Sequence, residues 1–159
     1  VHNAAIGVMK YFQKIRTKQW DLTIESSLRP FWLLTKLSPL VSGSSVIGIS
    51  SMGSQRYIEG YAAMGAAKAG IEALTRQLAV ELGEENIRVN TICGGLIKTD
   101  TLQYLKNAEM MIDIAEKLTP LGRIGQPQDI ANAVWLLCQP ESYWINGQVL
   151  IVDGGLSLR

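Results

Sequence analysis

Tyr61 and Lys68 stand in the run EGYAAMGAAKAGIEALTRQLAVEL, separated by about two helical turns, so both side chains can reach one side of a helix. Ser51 comes ten residues before the tyrosine, at the end of an apolar, strand-like run. A phenol, an ammonium and a hydroxyl converging at a strand end suit proton donation to a substrate that is gaining negative charge. Lys68 lies in an alanine-rich helix that otherwise looks buried, where an ammonium without partners is costly. Two readings of it stay open. One is a side chain that snorkels to the surface; the other binds cofactor hydroxyls and holds a nearby phenolate by its charge. A Ser–His–Asp triad is excluded, because the single histidine, His2, lies at the far end of the chain without a visible orienting acid.

A second group follows the strand-like IRVNTI, in the loop CGGLIKTD. Adjacent glycines after a strand allow the backbone to approach a flat ligand closely, and the Thr99 hydroxyl can reach a phosphate or an amide. A plain turn explains the same residues equally well. No G-x-G-x-x-G follows a strand anywhere in the chain, so the usual cradle for a dinucleotide pyrophosphate is missing from this sequence.

The bulk numbers narrow the class. The 159 residues fit one domain with a real core, and 47% apolar against 18% charged residues excludes a disordered chain. A net charge of +1 without a basic cluster gives no case for nucleic acid. Cys93 and Cys138 follow no metal or redox spacing and are too few for a disulfide framework, so no metal site and a reducing, cytoplasmic setting are expected. No apolar run is long enough to span a membrane, and none is expected as a partner. The chain opens on VHNAAIG, which reads as the end of a strand running into a turn; a fragment is expected.

These residues need elements to hold them. Residues 17–36 carry a helical stripe, with Thr17 as its cap and Pro30 expected to kink or divide it. SVIGIS at 45–50 predicts a short strand, and a long helix is expected from about Tyr61 to Leu82, ended by Gly83. A second strand is expected at 87–92, a polar and weakly periodic helix at about 101–117, a compact helix at 128–137 and a final buried strand within 148–155. Strand, helix, strand, helix, strand in this rhythm predicts a mostly parallel α/β sheet. Its ligand crevice should lie beyond the carboxyl ends of the strands, where Ser51, the 93–100 loop and Ala4–Ala5 all point.

Taken together, HNAA at 2–5, ISS at 49–51, VNTICGG with Thr99, and GQVLIVDGG at 147–155 resemble the ordered motifs of the short-chain dehydrogenase/reductase family. The resemblance covers nearly the whole chain. It implies a Rossmann-like, mostly parallel sheet with helices on both faces, lacking its first strands: residues 1–159 would be the C-terminal two thirds of a single domain, with 100–118 as its substrate lid. The family's common Tyr-x-x-x-Lys is broken here, since Met64 stands four residues before Lys68. Tyr-x6-Lys resembles instead the branch that reduces the carbon–carbon double bond of enoyl-acyl carrier protein, and ISSMGSQRYIEGYAAMGAAK is most similar to its FabL-type, NADPH-dependent members. The helix position where the family usually has an asparagine holds Ser27.

By this resemblance the catalytic residues would be Tyr61, stabilising the enolate, Lys68, holding the nicotinamide ribose, and Ser51 beside the thioester. Asn3, Lys68, Gly95, Ile97 and Thr99 would bind the cofactor, NADPH with NADH not excluded. The substrate would be an enoyl group on acyl carrier protein or CoA, and the assembly a homodimer or homotetramer. Two alternatives remain: a 3-oxoacyl or other carbonyl reductase of the same family, and a non-catalytic fragment.

Overall fold

The computed structural model describes residues 1–100, 102 and 108–159. Its elements run α1 (Thr17–Ser27), α2 (Arg29–Leu37), β1 (Ser45–Ser51), α3 (Ala62–Glu81), β2 (Arg88–Gly94), α4 (Ala108–Leu118), α5 (Pro127–Cys138) and β3 (Val149–Val152). Among the described residues the sheet has the order β1-β2-β3 and is parallel throughout. His2 adds a parallel bridge to Gly48 on the other side of β1, its N–H bonding to Ile47 O at 2.7 Å. This is the parallel α/β arrangement the sequence rhythm predicts, and it is Rossmann-like as the resemblance implies. No helix among the described residues is long and apolar enough to cross a membrane.

Alternation along the strands feeds two cores. Val46 and Val89 face α2 and α3, packing with Phe31, Ile71 and Leu74. Ile47, Ile49 and Ile92 face α5, packing with Ile130, Ala133 and Leu137. β2 lies between the other two strands and is buried at every position, which suits its β-branched Val89, Thr91 and Ile92, while the buried Arg88 and Asn90 side chains donate to Ser142 and Ile145 backbone oxygens.

Several boundaries differ from the sequence expectation, each for a local reason. Pro30 divides the first helical stretch into α1 and α2, sitting in the first turn of α2 where its missing N–H is harmless. The cap of α1 is Arg16, with Thr17 the first helical residue; the Gln19 side chain accepts the Arg16 N–H at 3.2 Å. α3 begins after Tyr61, which is its N-cap residue. Gly83 starts a 3-10 turn instead of ending the helix, and the left-handed residue is Asn86 at φ 60°. Asparagine tolerates that region, and its amide is held by Ser42 Oγ at 2.9 Å.

β3 is not the buried strand expected. Among the described residues it pairs with β2 alone, and Leu150 and Ile151 remain 41% and 44% exposed. The expected helix at 101–117 is observed as α4 from Ala108; residues 101 and 103–107 of that stretch, and so part of the expected lid at 100–118, lie outside the described residues. α4 is more amphipathic than its sequence suggests, since Ile112 and Ala115 pack with Leu102 and Ile124.

Candidate active site

The last three residues of β1 are each tied to a different side chain of the α3 region. Lys68 Nζ donates to Ile49 O at 2.8 Å, Ser50 Oγ donates to Glu72 Oε1 at 2.7 Å, and Ser51 Oγ lies 2.9 Å from the Tyr61 hydroxyl. The chain therefore brings Ser51, Tyr61 and Lys68 to one strand end, as their spacing suggested. The buried stripe of α3 follows helical spacing: Ala63, Ala67, Lys68, Ile71, Glu72, Thr75 and Ala79. Two ionisable groups share that stripe with small and apolar residues.

Tyr61 is placed by close packing. A Cβ on Gly53 would fall 2.2 Å from Tyr61 Cδ1, and one on Gly65 would fall 2.6 Å from Gly53 O. Glycine at both positions is what lets the turn after β1 lie against the ring and the start of α3. Burial pushes the Tyr61 phenol above its ordinary value, while the Ser51 hydrogen bond opposes the rise. The phenol is thus a neutral proton donor at neutral pH. Met64, which occupies the family's usual tyrosine position, lies against Gly7 near the start of the chain.

Lys68 does not snorkel. Only 6% of it is exposed, burial lowers its pKa, and its recorded partner among the described residues is the Ile49 carbonyl. The phenol's partner is Ser51, so the ammonium holds the strand end and makes no hydrogen bond to Tyr61. An ammonium has three donors, which leaves two for a ligand's hydroxyls.

The β2 side is built differently. Gly95 comes close to the chain's own Asp153, whose Cβ would lie 2.8 Å from a Cβ there. Ile97 bridges to Gly125, Lys98 N donates to Gly125 O, and Gly125 N donates to Leu96 O. Thr99 is exposed, and so is Asn3, beside the His2 bridge on the far side of β1. No recorded hydrogen bond joins Asn3, Gly95, Ile97 or Thr99 to Ser51, Tyr61 or Lys68. Ser27 is fully buried and its hydroxyl is spent on the Ile6 backbone, accepting at 3.2 Å and donating at 2.9 Å.

Two features escaped the sequence reading. Glu72 collects Ser50, Ser54 and Gln55 around a buried carboxylate. The signal for it was an acid four residues after Lys68, on the buried stripe. The other is a cavity of about 380 Å³ against Tyr61, lined also by Lys10, Tyr11, Arg56, Ile58 and Ala66. It depends on the segment after Gly7 folding back, Lys10 N donating to Gly60 O and Tyr11 to Glu59. No local pattern announces that contact.

Residues 1–157 match the family model described as enoyl-(acyl carrier protein) reductase. Among curated relatives, the chain is 41% identical over 158 residues to the 7alpha-hydroxysteroid dehydrogenase of Escherichia coli strain K12, covering 98% of this chain and 62% of that protein. It is 35% identical over 162 residues to the 1-cyclohexenylcarbonyl-CoA reductase of Streptomyces collinus, covering 99% and 58%. The crystal structure of a short-chain dehydrogenase/reductase (glucose/ribitol dehydrogenase) from Brucella melitensis superposes with a TM-score of 0.91 at 31% identity, covering 97% of this chain and 62% of that one. The chain spans between half and two thirds of the length of the curated relatives it matches.

Proposed function

We propose an activity from one premise: the chain belongs to the short-chain dehydrogenase/reductase family. In the whole protein the reaction would be reduction of the carbon–carbon double bond of an enoyl thioester on acyl carrier protein or CoA, with NADPH, or NADH as the alternative, as the cofactor. The observation that carries this reading is the phenol itself. Tyr61 meets Ser51 at the strand end from a Tyr-x6-Lys spacing, while Met64 is turned to Gly7.

The donor set fits a nicotinamide nucleotide: Lys68 is a buried ammonium with donors to spare, suited to ribose hydroxyls. When bound, the nicotinamide supplies the hydride. The chain's own residues do the rest. As the β-carbon gains hydride, charge gathers on the thioester oxygen, and Tyr61 donates its hydrogen bond there. Lys68 adds positive charge beside it. Both groups interact more strongly with the transition state than with the neutral substrate, which is what accelerates the step. The cavity against Tyr61 gives the acyl group room among Tyr11, Ile58 and Ala66. Asn3 on one side, and Gly95, Ile97 and Thr99 of the loop after β2 on the other, would hold the cofactor together with Lys68.

A carbonyl reductase is the second reading, favoured by the Ser51–Tyr61 hydroxyl pair, which could bind a ketone oxygen directly. Tyr61→Phe in the whole protein, assayed with an enoyl and a 3-oxoacyl thioester side by side, separates the two. Loss of ketone reduction with enoyl reduction intact would overturn the enoyl assignment. The protein works as a homodimer or homotetramer in this reading, supported by the edge of β3 that is left unpaired among the described residues. Sedimentation giving only monomer would defeat that part.

A further inference from the structure

The mechanism above leaves the buried carboxylate of Glu72 unused. Glu72 is 7% exposed, and its carboxylate forms no salt bridge among the described residues. Lys68, one turn earlier on the same stripe, is turned to Ile49 O. A buried charge without a countercharge is expensive unless hydrogen bonds satisfy it. Here neutral donors do so: Ser50 Oγ and Ser54 Oγ at Oε1, and Gln55 Nε2 at Oε2 at 3.1 Å.

All three donors belong to the segment that carries Ser51. Ser54 Oγ also lies 2.7 Å from Ser51 O, so its single proton is shared between the carboxylate and the Ser51 backbone. Gly53, against which the Tyr61 ring packs, lies between these contacts. We propose that Glu72 is a positioning residue: its carboxylate fixes the turn after β1 and thereby the Ser51–Tyr61 hydroxyl pair. It touches no substrate. The proposal rests on the reading that the Tyr61 phenol acts on the substrate.

The chemistry predicts which replacements work. Glutamine keeps one oxygen for Ser50 and Ser54, and its amine can meet Gln55 if that amide presents its own oxygen. Alanine leaves all three donors without their acceptor.

The test compares Glu72→Gln and Glu72→Ala in the whole protein by three measurements. Hydrogen exchange of the Gln55 and Arg56 amides, both bonded to Met52 O, reports the turn. The titration of Tyr61, read as the difference between each background with and without Tyr61→Phe, reports the phenol. Steady-state kinetics report catalysis. For Glu72→Ala, exchange at 55–56 should speed up, Tyr61 should titrate further above 10.0 as the opposing Ser51 hydrogen bond is lost, and kcat should fall roughly tenfold to a hundredfold with cofactor KM within about twofold. Glu72→Gln should stay within roughly threefold of wild type in kcat.

A purely structural role would lower the melting temperature and leave the phenol's titration and the kcat/KM split alone; that result overturns the proposal. So does a Glu72→Gln as damaged as Glu72→Ala. Should Glu72→Ala fail to fold, Ser54→Ala is the deciding variant: a shift of Tyr61 in the same direction supports the proposal, and an unchanged titration overturns it. A whole protein without any hydride transfer sinks the proposed function, while exchange and the Tyr61 titration still decide the role of Glu72.

Discussion

The ends of β1 and β2 lie side by side in the sheet yet are held by opposite means. At β1, three consecutive residues are fixed by the side chains of Lys68, Glu72 and Tyr61. Past β2, the loop is fixed by backbone: Ile97 bridged to Gly125, Lys98 and Leu96 bonded to the same glycine, and Gly95 N bonded to Val152 O at 3.2 Å. Side-chain control makes geometry depend on residue identity; backbone control makes it depend mainly on the path of the chain. Substitutions should therefore be severe on the β1 side and mild on the β2 side.

The largest effect expected is that of Tyr61→Phe, which removes the donor and should slow hydride transfer about 10²- to 10⁴-fold in a single-turnover assay. Gly53→Ala comes next. Its Cβ would collide with the Tyr61 ring, and overpacking of this kind costs about 1–3 kcal/mol in denaturant unfolding, with catalysis lost in parallel. The pH dependence should follow Lys68. Burial lowers its pKa below 10.5, so the active ammonium form is lost as pH rises through that lowered value. The alkaline limb of the rate profile should lie below pH 10.5 and move upward in Lys68→Arg.

On the β2 side, Thr99→Ala should change kcat/KM by less than about tenfold, since an exposed hydroxyl there binds without bearing on the phenol. A larger loss would break the contrast between the two strand ends. The smallest effect belongs to Asp129, which pairs with Arg123 and accepts the Gln126 N–H. Its folded pKa is lowered from 3.8 to about 2. The contribution is thus present above pH 3.8 and lost as pH falls through about 2. Asp129→Asn should lower the melting temperature slightly at pH 7 and by a smaller amount at pH 2.

What was legible in the sequence follows the same division. The parallel α/β order, the strand expected at 45–50 and the long helix follow from the pattern of apolar residues, because each buries a face. Ser51, Tyr61 and Lys68 were legible because polar residues at a strand end and on a buried helical stripe need a reason. Glu72 was not, because its partners come from a turn whose path no local pattern dictates. The exposure of β3 was missed for a similar reason: an apolar run of four residues reads alike in the middle of a sheet and at its edge. Asn86 outranked Gly83 as the left-handed residue because the turn after α3 is longer than a simple helix stop.

The register of β1 on β2, from Ser45 opposite Arg88 to Ser51 opposite Gly94, is parallel, with all of α3 in the connection between them. A parallel pair cannot close through a hairpin. The ribosome must deliver the entire helix before the first bond between these strands can form, and the loop closed in that step is long. The segment that bears Tyr61, Lys68 and Glu72 is therefore also the gate to assembly of the sheet. A substitution there can change how fast the protein matures as well as how fast it turns over, and refolding kinetics should be measured alongside activity in every α3 variant.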